Sequence, residues 1–198
     1  MRLKLAIVVL LIAGVGYAFH EHKVSFERHL GSVATQLGSR HVNVHCQGLT
    51  GDLLDVTSES GTVGFDASGI PADHTDLKRP ICNALRHFPH DVRSPAYGCV
   101  LSGGDCPKKI FEEVLAVHTL AHEVWHLHGI KDESLTECNA LQTTARAAML
   151  LGADATAAQR TADYALARLY PRMPDEYRVG GCGSGGPRDL RPTDPVWP

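Results

Sequence analysis

The stretch Leu115–Cys138 reads LAVHTLAHEVWHLHGIKDESLTEC, and the fold turns on how it is read. At about 100° per residue along a helix, His122 and His126 lie about 40° apart, one turn from each other on one face. Val117, Leu120, Val124 and Leu127 gather on the opposite side. That stripe gives the helix an apolar face to bury without using the histidines. Glu123 lies about 100° from His122, to one side of the pair. Gly129 is a helix stop. Lys131-Asp132-Glu133-Ser134 restarts a helix, and the short connection predicts that it doubles back along the first.

Working outward, Asp105 or Cys106 is the expected cap of the first helix, with Pro107 near its first position, where a missing N–H costs nothing. The second helix runs to about Leu151, ahead of Gly152. Thr156-Ala-Ala-Gln159 fits a capping box, and a third helix runs from there to Tyr170, before Pro171. Upstream, residues 23–40 are predicted helical, with Val24, Phe26, Leu30, Val33 and Leu37 as apolar positions. RHVNVHCQG (40–48) alternates, placing Val42, Val44 and Cys46 on one face of a half-buried strand, and GTVGFDASG (61–69) is a second candidate strand. HTDLKRPICNALRHF (74–88) reads as helix around Cys82 and Leu85, with Pro80 in its first turn or starting a second helix. Residues 89–107 are turn-rich and the tail, 175–198, is loop in composition. The expected fold class is α+β: a small N-terminal sheet followed by a helical core, as one domain over residues 23–198.

The chain has 198 residues, 43% hydrophobic and 21% charged, with a net charge of -3. That suffices for one domain with a real core, and no basic field invites nucleic acid. Arg2 and Lys4 precede an apolar run from Leu5 to Phe19. A basic start followed by an apolar run is an export pattern. The run is shorter than the ~20 residues that comfortably span a bilayer. Residues 1–22 are therefore read as a membrane anchor or a cleaved signal segment, the anchor preferred, with everything beyond about His22 outside the cytoplasm. Oligomeric state is not legible. The six cysteines, Cys46, Cys82, Cys99, Cys106, Cys138 and Cys182, suit an oxidising compartment and suggest three disulfides among 15 possible connectivities. Cys99 and Cys106 flank a Gly-Gly loop and close most easily. Cys46 with Cys82 and Cys138 with Cys182 then remain. The last pair would pin the glycine-rich tail beside the second helix, as a wall of a cleft.

Twelve histidines are a mild pointer toward metal. The pair at His122 and His126 is a sharper one. Two imidazoles four apart on a helix supply two ligands with a rigid bite, and a catalytic zinc keeps a further position open for water. A carboxylate at Glu123 is placed to take a proton from that water. A third ligand is expected from the second helix. Glu137 is chosen by counting as far past the turn as His126 lies before it; Ser134-Leu-Thr-Glu137 also fits a capping box, which would make Glu137 only a cap. Glu133, Asp132 and His128 compete for the ligand position. His118, one turn before His122, is read as supporting or lining the site, since three ligands on one straight helix span too far for one ion.

HEVWH on a helix, followed by a short turn and ESLTEC, resembles the zincin metallopeptidases, and a glutamate as third ligand is similar to their gluzincin-like branch. The resemblance implies an α+β zincin fold, one Zn2+ per chain and hydrolysis of peptide bonds in a peptide or protein substrate. It carries His122, His126 and Glu137 over as ligands and Glu123 as the catalytic base. Tyr164, Tyr170 and Tyr177 stay open as the transition-state donor. The alternative expectation is a non-catalytic zincin-like domain of the cell envelope with a structural or vestigial metal site.

Overall fold

The computed structural model describes residues 2–48 and 60–198, and the side chains from His20 onward within the first helix. Six α-helices and a three-stranded sheet make up the described residues, so the α+β class stands. The order differs from a sheet followed by helices. A long helix, α1 (Arg2–Gly38), comes first, and the sheet follows it as β1 (Asn43–Cys46), β2 (Gly61–Thr62) and β3 (His74–Leu77). Then come α2 (Arg79–Asp91), a single-turn α3 (Gly98–Ser102), α4 (Lys108–Leu127), α5 (Glu133–Leu150) and α6 (Ala155–Tyr164). A π-helical turn over Ala165–Leu169 and short 3-10 turns at Tyr170–Arg172 and Asp175–Tyr177 lead into the tail.

Helix α4 is the centre of the molecule. It packs against α5, α2 and α1 and touches both β2 and β3. Val114, Val117, Leu120, Ala121, Val124 and Leu127 are buried on it, and so are Glu113, His118, His122, Glu123 and His126. A helix covered on nearly every side can carry buried polar groups only where they find partners, and those partners define the site below. Its C-terminal end is closed by Arg40, which donates to the Leu127 carbonyl at 2.6 Å, as a cation at a helix C-terminus should.

In the sheet, β3 is central. It pairs parallel with β1, Asn43 opposite His74 and His45 opposite Asp76, and antiparallel with β2, Thr62 opposite Asp76. Val44, Cys46, Thr75 and Leu77 point into the core while Asn43, His45, His74 and Asp76 face out. Helix α1 lies against β1 with Leu30, Val33 and Ala34 buried. Glu27 on α1 accepts from the Cys46 amide at 2.7 Å.

Five local expectations are corrected. His74–Leu77 is a strand, not the start of a helix; its period of two is carried inward only by Thr75 and Leu77. The helix begins after it, with Pro80 in the first turn. Of the second strand only Gly61–Thr62 joins the sheet; Phe65 pairs with Pro71 in an isolated bridge, and Asp66 accepts from the Ser68 and Ile70 amides and turns the chain. The cap of α4 is Pro107, and that of α6 is Asp154, which accepts from the Ala157 amide at 2.8 Å. The long turn-rich stretch contains the one-turn helix α3.

Among the described residues no helix is long and apolar enough to cross a membrane. The anchor or signal segment expected over residues 1–22 falls on residues 1–19, whose side chains lie outside the described ones. All three expected disulfides are present: Cys46–Cys82, Cys99–Cys106 and Cys138–Cys182. They fit an oxidising, extracytoplasmic environment. The third ties the tail to α5, where Gln142 also accepts from the Leu190 amide at 2.7 Å and donates to the Arg188 carbonyl at 2.9 Å. Replacing Cys138 and Cys182 together by Ser should cost about 2–4 kcal/mol of stability, measured by denaturant unfolding. An unchanged midpoint would mean that the Gln142 contacts alone hold the tail.

Candidate metal centre

The histidines of α4 meet the start of α5. His122 Nε2 and His126 Nε2 lie 3.0 Å apart. Glu133 Oε2 is 3.1 Å from the first and 3.2 Å from the second. These three atoms form a compact group able to hold one metal ion. Ligands about 2.0–2.1 Å from a tetrahedral ion lie about 3.3–3.4 Å from one another, so the observed spacing is close to that of a coordination shell.

The other ring nitrogens decide the chemistry. His126 Nδ1 donates to the Ile130 carbonyl at 2.7 Å, since a carbonyl only accepts. His122 Nδ1 donates to Glu137 Oε2 at 3.0 Å. Each neutral ring then presents a lone pair at Nε2. Two lone pairs aimed at each other across 3.0 Å repel unless a positive charge sits between them, and a proton or a metal ion supplies it. Metal-ligating histidines characteristically fix their free nitrogen on a carboxylate or carbonyl in this way. The donor set of two imidazoles and a carboxylate suits zinc.

Glu137, expected as the third ligand, lies behind the group instead. Its Oε1 accepts from His118 Nε2 at 2.8 Å and its Oε2 meets His122 Nδ1. It is buried and caps no helix, because Asp132 is the cap of α5, accepting from the Leu135 amide at 2.7 Å. The difference comes from the turn. Gly129 takes φ +90, and the next residue places its carbonyl under His126, so the chain reverses within a few residues. The carboxylate level with the Nε2 atoms is then the first residue of α5, not one a turn later. His128 stacks on Trp125, with ring centroids 5.0 Å apart, away from the group. His118 supports Glu137, matching its reading as a supporting residue, and its Nδ1 meets Thr144 Oγ1 at 2.8 Å.

Charge follows geometry. Burial lowers the proton affinity of His122, but the bonds to Glu133 and Glu137 outweigh it and raise its pKa to about 9. Burial pushes both glutamates up, and their histidine partners reverse that, holding each near 2. Glu123 is different: burial dominates over the nearby His122 and His126, and its pKa rises to about 7. Thr75 Oγ1 donates to the Thr62 carbonyl at 3.1 Å and stands 3.4 Å from Glu123 Oε2. On its other side Gly61 leaves no room: a Cβ there would stand 2.6 Å from Glu123 Oε1.

These groups line a cleft of about 670 Å³. Phe65 packs edge-on against His126 from the loop after β2, with Lys131 over its other face. The opposite wall is the tail segment with Met173, Pro174 and Tyr177. Tyr177 sets its ring 5.8 Å from that of His122, and the Cys138–Cys182 bridge holds this segment next to α5. Of the other tyrosines, Tyr164 is buried and the Tyr170 hydroxyl accepts from the Val179 amide at 3.0 Å. Gly61, Thr75 and the wall position of Tyr177 carry no local sequence signal. The Asp132-Glu133 pair at the restart of the helix after Gly129 was the available hint for Glu133. Compared with known proteins, the chain matches no family model, no curated protein and no solved structure.

The charge pattern predicts a pH dependence for the metal-free protein. Raised above 6.5, His122 adds stability that is complete below pH 6.5 and lost as pH rises through about 9. Glu123, raised above 4.5, acts in the same direction, its share lost as pH rises through about 7. Chelator-stripped protein should therefore unfold at progressively lower temperature from mildly acidic pH toward pH 9, by calorimetry. A flat profile would contradict the pairing of His122 with Glu133 and Glu137.

Proposed function

We propose that the protein is an exported zinc-dependent hydrolase, a metallopeptidase, in which His122, His126 and Glu133 hold one zinc ion and Glu123 is the general base. The observation that carries this reading is the commitment of both Nδ1 atoms, which turns both Nε2 lone pairs and one carboxylate oxygen onto a single point at the cleft floor. Three protein ligands beside an open cleft are the catalytic form of a zinc site, whereas structural sites close with four. That favours catalysis over a structural metal. The resemblance of HEVWH to the zincins agrees in the two histidines and Glu123, and the ligand read here as Glu133 replaces Glu137.

When bound, zinc supplies Lewis acidity toward water and toward a substrate carbonyl. Glu123 does the proton work. A buried carboxylate beside the ligands is placed to accept a proton from water and return it to a leaving amine. Thr75 and the bare backbone at Gly61 hold that carboxylate in one place. Glu137, itself held by His118, keeps His122 in the ligating tautomer. Of the three tyrosines, Tyr177 is the one assigned to the carbonyl oxygen as charge develops on it, because it alone stands at the cleft wall beside His122. A cleft of this size accommodates side chains of a peptide. Export is the work of the basic and apolar N-terminal segment, and disulfide formation follows it.

Glu123→Gln should keep one zinc per chain and lower the hydrolysis of an unfolded protein substrate by about 10²-fold or more. Full turnover in that variant would remove Glu123 from the reaction. Gly61→Ala should leave the metal content unchanged and reduce turnover, because the added methyl must displace the Glu123 carboxylate. Metal loss in this variant would show that Gly61 shapes the ligands rather than the base.

A further inference from the structure

We propose that His45, His74 and Asp76 form a second binding site for a divalent transition-metal ion, on the outer face of the sheet. The inference does not depend on the reading of the first site. It begins with register. In the parallel pair of β1 and β3, His45 stands directly opposite Asp76 and diagonal to His74, and all three side chains point away from the core. Side chains so placed on neighbouring strands lie within reach of one another.

The distances fit an ion better than a hydrogen-bonded cluster. His45 Nδ1 is 3.6 Å from Asp76 Oδ1, and His74 Nε2 is 3.8 Å from Asp76 Oδ2. Both exceed the usual 2.7–3.2 Å of a hydrogen bond. The first comes near the about 3.3 Å that separates two ligands of a tetrahedral ion; the second, to the other oxygen of Asp76, is longer and closes by a side-chain rotation. One ligand atom from each residue falls within 4.8 Å of the others. The two rings lie 5.0 Å apart.

His74 also repeats the arrangement seen at His122 and His126. Its Nδ1 donates to Asp73 Oδ1 at 3.1 Å, which leaves a lone pair on Nε2, the nitrogen turned toward Asp76. The backbone beneath is fixed. Strand β1 is tied by the Cys46–Cys82 bridge and by Glu27, and Thr75 and Leu77 anchor β3 in the core. Binding therefore has only side-chain rotamers to order. Relative exposures of 54% for His45, 39% for His74 and 41% for Asp76 leave the site open to ions from solvent. Two imidazoles select zinc, copper or nickel over calcium and magnesium, which take oxygen ligands.

Zinc uptake by the chelator-stripped full chain tests the site, by isothermal titration with ZnCl2. The double variant His45→Ala/His74→Ala should bind one equivalent fewer than wild type, or bind it at least ten-fold more weakly. His41→Ala, which removes a neighbouring exposed histidine outside the cluster, should match wild type. Equal uptake by wild type and the double variant overturns the proposal. A His122→Ala/His126→Ala variant separates the two sites: retention of an equivalent that is then lost on adding His45→Ala/His74→Ala supports the second site whatever becomes of the first, and absence of any such equivalent overturns it.

Discussion

Two imidazole nitrogens 3.0 Å apart, each with its opposite nitrogen already committed as a donor, are the constraint on which the rest of the structure depends. Such a contact is unfavourable without a positive charge at its centre. Burying it within the central helix raises the stakes, because an unpaired polar group there costs more than on the surface. The surrounding elements read as answers to this one demand. Glu133 brings negative charge to the open side, Glu137 brings it from behind, and His118 holds Glu137 in turn.

The same demand explains features that look incidental in the chain. Gly129 adopts a left-handed conformation, which a side-chain-bearing residue reaches only with strain. That turn puts the Ile130 carbonyl under one histidine and starts α5 with its acid facing both. Gly61 lets the sheet edge touch Glu123, so the strand serves as a stop for a carboxylate as well as part of a sheet. The Cys138–Cys182 bridge begins one residue after Glu137 and ends in the tail. It therefore couples the helix behind the site to the wall in front of it.

Much of this was legible in the sequence because it is local. The helix carrying His122 and His126 follows from its apolar stripe, and the fold-back follows from the short link to α5. Closing the one short loop first singles out Cys99–Cys106; the other four cysteines still allow three pairings, and the expected one is present. What was not legible needs tertiary context. His74–Leu77 alternates, but its inward residues include a threonine and its outward ones are His and Asp, so the period is hidden in polarity. Glu133 and Glu137 are one turn apart on one face of α5. Choosing between them requires the path of the turn at Gly129, which a count of residues cannot supply. Tyr177 reaches the cleft through a disulfide spanning 44 residues, and no local pattern distinguishes it from Tyr164 or Tyr170.

The most direct test is anomalous diffraction at the zinc edge from crystals of zinc-loaded protein. The account predicts a peak among His122 Nε2, His126 Nε2 and the Glu133 carboxylate, roughly 2.0–2.2 Å from each, with Glu137 still bonded to His122 Nδ1. A peak coordinated by Glu137 in place of Glu133, or no peak between the two histidines, would contradict it.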